Sequence, residues 1–190
     1  MGAVDIETER MVLRRFTPDD VDDLVALHND PAVMRYLGPC DETAEHVRDV
    51  LLPYYRSFDR PGGGYGYRAA IERDGGAFLG WFLFRPARED PQPGVIEVGY
   101  RLHRAAWGRG FATEGASALV DRGFTELPIH TVVADTMTVN TGSRRVLEKL
   151  GMRHVATVHP HYDDPVPGTE HGDVLYALTR AEWTAARRAP

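Results

Sequence analysis

The stretch "VIEVGYRLHRAAWGRGFATEG", residues 95–115, constrains this chain more than any other. Val95 to His103 alternates side-chain character at a strand's period of two. Gly108 and Gly110 flank Arg109, and a helical pattern begins directly after them. A strand, a glycine turn and a helix start, in that order, suit an anion and most often a phosphate. The first N–H groups of a helix have no intrahelical partner and lie at the positive end of its dipole. Two phosphate motifs are disfavoured by the residues present. A nucleotide P-loop ends in Gly-Lys-Ser/Thr, which is absent. A dinucleotide fingerprint needs Gly or Ala where Thr113 stands, and it opens a run of parallel units.

The pattern around this stretch predicts a mixed α/β (α+β) domain. "MVLRRF" (Met11 to Phe16) reads as a strand. Thr17, Pro18 and Asp20 then form a helix start, as cap, first helical residue and capping-box acid. Val21, Leu24, Val25 and Leu27 give that helix its apolar face, and "PAVMRYL" adds a short helical turn. A longer helix is expected from Thr43 to Phe58, with Val47, Val50, Leu51 and Tyr54 inward and a kink or end at Pro53. Strands over "YRAAIER" and "AFLGWFLFR" are joined by Asp74, Gly75 and Gly76, a hairpin signal. After the helix "TEGASALVDRGFTE" come the strand "HTVVADT", the helix "TGSRRVLEKLG" and closing strands "MRHVATVH" and "DVLYALT". Hairpins mixed with strand–helix–strand units imply a central, mostly antiparallel sheet flanked by helices.

Composition narrows the class. At 190 residues the chain suits one domain, expected to span 1–190. No apolar run of about 18 residues occurs, so no membrane span is expected. The start "MGAVDIETERMVL" lacks the basic and apolar regions of a signal peptide, and a cytoplasmic location is expected. Cys40 is the only cysteine, which excludes an internal disulfide and a multi-cysteine zinc site. A net charge of -6 argues against a nucleic-acid partner and mildly favours an amine.

"AWGRGFATEG" and "VNTGSRRVLEKLGMRH" together resemble the Gcn5-related N-acetyltransferase superfamily, an acyl-coenzyme A-binding fold. "IETERMVLRRFTPDDVDDLVAL", "FLGWFLF" and "GDVLYALTRAEW" are similar to its ribosomal-protein N-terminal acetyltransferase branch, in the right order over most of the chain. The family's basic first position falls on Ala105, with Arg104 one residue early. The resemblance implies acetyl-coenzyme A as co-substrate, no metal, a primary amine as acceptor, and a homodimer as a common state. The acceptor classes implied are a protein N-terminus, an amino acid, a polyamine or an aminosugar, selected by the N-terminal helices and the loop Pro160 to Gly172.

Residue by residue, the resemblance assigns the pyrophosphate to Arg104, Gly108, Arg109, Gly110, Phe111, Ala112 and Thr113. The strand from Val95 should splay from the strand at Thr131, freeing backbone groups at Val98, Gly99 and Tyr100 for the pantetheine arm and thioester carbonyl. Gly99 also fits a bulge or simple packing. Asn140 would contact the pantetheine arm, cap a helix, or do both. The tyrosine that many members use as general acid is replaced by Leu147, and Ser143 is the candidate for hydrogen bonding to the departing sulfur. Glu97 is the candidate base, against the alternative of an intrastrand pair with Arg101.

Arg101, His161 and Tyr162 are candidate acceptor contacts. The cluster His159, His161, Asp163, Asp164 and His171 is read as a substrate-facing loop rather than a metal site. Trp81, Trp107 and Trp183 are read as core or interface aromatics. The rival readings are a non-catalytic acyl-coenzyme A sensor, a donor larger than acetyl such as succinyl-coenzyme A held by Arg101 or Arg144, and a nicotinamide-dependent oxidoreductase.

Overall fold

Eight strands form one sheet in the computed structural model, which describes residues 5–59, 64–87 and 91–188. They are Ile6–Glu7 (β1), Met11–Arg14 (β2), Gly66–Glu72 (β3), Phe78–Pro86 (β4), Val95–Leu102 (β5), Thr131–Met137 (β6), Arg153–Val158 (β7) and Asp173–Thr179 (β8). Their order is β1-β2-β3-β4-β5-β6-β8-β7. The β5–β6 pair is parallel and the other neighbours are antiparallel. Helices Val21–His28 (α1), Pro31–Met34 (α2), Ala44–His46 (α3) and Leu52–Arg56 (α4) precede β3. Phe111–Glu126 (α5) and Thr141–Lys149 (α6) flank β6, and Arg180–Arg188 (α7) follows β8.

Local chemistry accounts for several of these starts. Thr17 and Asp20 make the expected capping box, with Asp20 accepting the Thr17 amide at 2.7 Å. Asp20 is itself buried and takes two bonds from Arg14, at 2.6 and 2.8 Å. Burial alone would raise its pKa, but the bonds from Arg14 and Thr17 outweigh it and hold Asp20 below the usual carboxylate range. Gly75 and Gly76 adopt φ of 93° and 70° between β3 and β4, as the hairpin turn requires.

The helix expected from Thr43 to Phe58 is built differently. Thr43 caps α3, but Val47–Leu51 forms a π turn in which the Leu52 N–H reaches the Val47 carbonyl. This wider turn carries the chain to Pro53, which has no N–H to donate, and the helix continues to Arg56. It also rotates the buried face. Val47, Leu52 and Tyr55 are buried, whereas Val50 is 50% and Tyr54 42% exposed, contrary to the sequence pattern.

The sheet carries a different layer on each face. Phe82, Phe84, Ile96, Val98 and Leu102 meet Phe111, Ala116, Leu119, Val120 and Phe124 of α5. Gly115 and Gly123 let that helix lie directly on the rings, since a Cβ there would stand 2.4 Å from Phe82 and Phe84 respectively. On the opposite face Tyr67, Ala69, Trp81 and Leu83 pack against Val21, Leu24, Leu27, Leu52 and Tyr55. Helix α7 was not evident from the sequence. It seats Trp183 against Phe124 at 5.4 Å, and Arg180 before it bonds the Leu127 and Ile129 carbonyls beyond the α5 end.

Candidate active site

The glycine turn has the form its sequence implies. Gly108 and Gly110 hold left-handed φ values of 69° and 85°, which side-chain-bearing residues adopt only at a cost. Among the described residues no backbone hydrogen bond is donated by residues 108–113, and the first helical bond runs from Glu114 N–H to Gly110 O at 3.0 Å. Consecutive amides at Phe111, Ala112 and Thr113 are therefore available at a helix N-terminus, an arrangement that fits a pyrophosphate. The Phe111 side chain is buried and anchors the turn from below. Arg104 opens a short 3-10 turn beside it.

Side chains distant in sequence fix this turn. Arg10 donates to the Arg109 carbonyl at 2.8 Å and lies over the Phe111 ring, 4.5 Å from its centre. Glu114 accepts from the Thr8 hydroxyl at 2.6 Å and from Arg10 at its amide (2.8 Å) and Nε (2.7 Å). Burial opposes ionisation of Glu114, but these bonds and the Arg10 charge hold it below its ordinary pKa. The Arg109 side chain turns away to Glu72 at 2.8 Å. Trp107 is not a core residue: it is 50% exposed, and its indole N–H bonds the Leu102 carbonyl.

Beside the turn the sheet opens. Strand β5 pairs with β6 only from Val95↔Thr131 to Glu97↔Val133, and the ladder then stops. Val98, Gly99 and Tyr100 lie in the split portion of β5, still paired with β4 on their other side. That pairing is regular through Gly99, so there is no bulge there. Gly99 answers to packing, since a Cβ would stand 3.1 Å from Leu83. Asn140 caps α6 by accepting the Ser143 amide at 3.2 Å. The Tyr100 hydroxyl lies 3.4 Å from the Ser143 hydroxyl. Burial, only partly offset by this contact, pushes the Tyr100 phenol up to about 12, so it stays protonated. Leu147 is buried core.

The other face of β5 presents charge. Glu97 lies opposite Arg85 in the β4–β5 register and pairs with it at 2.9 Å, rather than with Arg101. Arg101 instead lies over Trp81, its guanidinium carbon 5.2 Å from the ring centre. Trp81 in turn faces His28, indole N–H to imidazole Nε2 at 3.3 Å. Burial, helped by the Arg101 charge, pulls His28 down to about 4, so it is neutral near pH 7.

Sequence reasoning missed Arg85, His28, Glu114 and Arg10. Alternation places Arg85 on the Trp81 face, but its partner depends on the β4–β5 register. The acceptor-loop candidates lie apart from this cluster in their contacts. His161 is 93% exposed, facing Asp163 at 3.9 Å, and the Tyr162 hydroxyl donates to Asp173 at the start of β8. Among the described residues no three of His, Cys, Asp or Glu are grouped to hold a metal ion, and no helix is long and apolar enough to cross a membrane.

Residues 10–153 match the family described as Acetyltransferase (GNAT) domain. The chain is 34% identical to the uncharacterized protein YkkB of Bacillus subtilis over 155 residues, covering 80% of this chain and 86% of that protein. It is 40% identical over 113 residues to the FsC-acetyl coenzyme A-N(2)-transacetylase of Aspergillus fumigatus. That match takes in 57% of this chain and spans about half, 48%, of the fungal protein's length. Among solved structures, spermidine N-acetyltransferase from Vibrio cholerae in complex with CoA and spermine superposes with a TM-score of 0.73. It covers 92% of this chain and 98% of that one at 14% identity, a likeness of fold.

A split strand pair beside a helix N-terminus with free amides, on this fold, defines an acyl-CoA-dependent transferase. The chain belongs to the acetyltransferase (GNAT) family, and its acyl donor is acetyl-CoA.

Proposed function

We propose that this enzyme passes the acetyl group directly to a primary amine in a ternary complex, with the amine held on the face of the sheet covered by α1 to α4. The single observation that carries this reading is the end of the β5–β6 ladder at Glu97, next to the free amides of the glycine turn. When bound, acetyl-CoA supplies an activated acyl thioester. Amides from Gly108 to Thr113, with Arg104 nearby, hold the pyrophosphate. Backbone groups of Val98, Gly99 and Tyr100 hold the thioester carbonyl and stabilise negative charge on its oxygen. Asn140 holds the pantetheine arm.

Attack requires a neutral amine. Glu97, on the acceptor face, takes the proton from it directly or through a water. Ser143 donates a hydrogen bond to the sulfur as it departs. A hydroxyl is too weak an acid to do more alone. Arg101, His161 and Tyr162 contact the acceptor. The printed names of the relatives support an amine: one acetylates spermidine and another is an N(2)-transacetylase. The acceptor classes compatible with the site are a protein N-terminus, an amino acid, a polyamine or an aminosugar.

The test is calorimetric titration with acetyl-CoA, followed by thiol-release assays on an amine panel. Acetyl-CoA binding with turnover on at least one amine is expected. Binding without turnover on any member would leave only an acyl-CoA-binding module, and absence of binding would sink the reading altogether.

A further inference from the structure

The guanidinium of Arg101 is held in an unusual state of readiness. It extends from the split part of β5 into a pocket walled by Trp81, Tyr55 and Tyr67, with the two tyrosine rings stacked at 4.2 Å. Its Nε is shut off from solvent and has no hydrogen-bond partner among the described residues. Two other arginines also have an unbonded Nε, but each is neutralised by an ion pair, Arg15 with Asp59 at 3.3 Å and Arg85 with Glu97 at 2.9 Å. Arg144, the other arginine considered for substrate, is already engaged by the Thr138 carbonyl and the Tyr176 hydroxyl. Arg101 has only the face of an indole. Glu42 attracts it through space without reaching ion-pair distance. Burial works against its charge, the unfavourable side of such an arrangement.

A buried guanidinium with an open donor is stabilised best by a planar, bidentate oxyanion, which meets the fork of donors in one geometry. Arg101 lies on the same face of β5 as Glu97, four residues along, so the oxyanion would be part of a reactant at the reaction centre. The acetyl group has no carboxylate to offer. We infer that the acceptor amine carries a carboxylate and that Arg101 binds it. The preferred acceptors are then amino acids or short peptides rather than polyamines. The positive charge beside the acceptor also disfavours its ammonium form, which assists loss of the amine proton.

This inference rests on the acetyltransferase reading, and a binding experiment separates the two. CoA-loaded protein is titrated with matched product pairs: N-acetylornithine against N-acetylputrescine, and N-acetyllysine against N-acetylcadaverine. The carboxylate-bearing member of at least one pair is expected to bind at least about tenfold more tightly. Arg101→Gln should erase that preference while leaving CoA affinity unchanged, and Arg101→Lys should restore part of it. In a second arm acetyl-CoA and succinyl-CoA are compared on the same proteins.

Equal binding within both pairs by CoA-loaded wild type overturns the assignment of Arg101 and leaves the acetyltransferase reading intact. A preference for succinyl-CoA that Arg101→Gln abolishes moves the carboxylate to the donor and overturns the acceptor inference. Failure of CoA to bind wild type overturns both readings. Because the wild-type preference is read without any substitution, a variant that fails to fold does not blunt the test.

Discussion

The two faces of the sheet do their work with different atoms. Toward α5 the side chains are apolar, two glycines bring the helix onto Phe82 and Phe84, and the groups left for chemistry are main-chain amides. Toward α1 and α4 the side chains themselves are the chemistry: Glu97 on Arg85, Arg101 over Trp81, and a neutral His28 behind it. Amides are present whatever the residue, so a phosphate site built from them depends on turn geometry and tolerates side-chain change. A site built from buried charges changes its preference with a single substitution. That contrast explains why a constant donor can be paired with many acceptors on one fold.

The sharpest way to test the division is Glu97→Gln, which removes a charge on the acceptor face and touches no atom of the α5 face. Turnover should fall by about 10²–10⁴-fold with acetyl-CoA affinity unchanged. A parallel loss of acetyl-CoA binding would show that the faces are not separable. Next in size is an effect of pH on folding. His28 has an ordinary pKa near 6.5 when unfolded and about 4 in the fold, so the unfolded chain takes up its proton first. Stability from this group is complete above about pH 6.5 and is lost as pH falls toward 4, amounting to roughly 3 kcal/mol. His28→Gln, which keeps an acceptor for Trp81, should flatten that part of a urea-midpoint versus pH curve. An unchanged slope would refute it.

On the α5 face, Gly115→Ala forces a methyl into the Phe82 ring and should cost about 1–3 kcal/mol in chemical denaturation, with KM for the amine unaltered. The smallest effect is expected at Gly110, where φ is 85° and a Cβ meets Arg10 at 3.3 Å. A side chain there adds about 1–2 kcal/mol of strain. Gly110→Val should therefore weaken acetyl-CoA binding at least about tenfold by calorimetry. Retained affinity would mean that the turn does not hold the pyrophosphate.

What could be read from sequence was local. The Thr17–Asp20 cap, the Asp74–Gly76 hairpin turn and the Gly108–Gly110 turn each lie within a few residues and obey short-range backbone rules. The split after Glu97 followed from family resemblance, and the pairing register shows it. Partners fixed by register or by long-range packing were illegible. Glu97 meets Arg85 only because β4 and β5 align as they do, and Arg10 meets Glu114 across 104 residues. One local signal was present but unread. Thr179 and Glu182 form a capping box at the start of α7, with the Thr179 amide donating to Glu182 at 2.8 Å.

The π turn at Val47–Leu51 has an evolutionary meaning. Such a turn is the trace of one extra residue accommodated in a helix without unmaking it. Its loss by deletion would rotate everything downstream by about 100° and bring Arg56 to the position of Tyr55 against the sheet. The wall beside Arg101 would change from an aromatic ring to a second cation, with no strand disturbed. Gain or loss of single codons in this helix is thus a route by which descendants of one ancestor could come to accept different amines while the donor site stayed as it was.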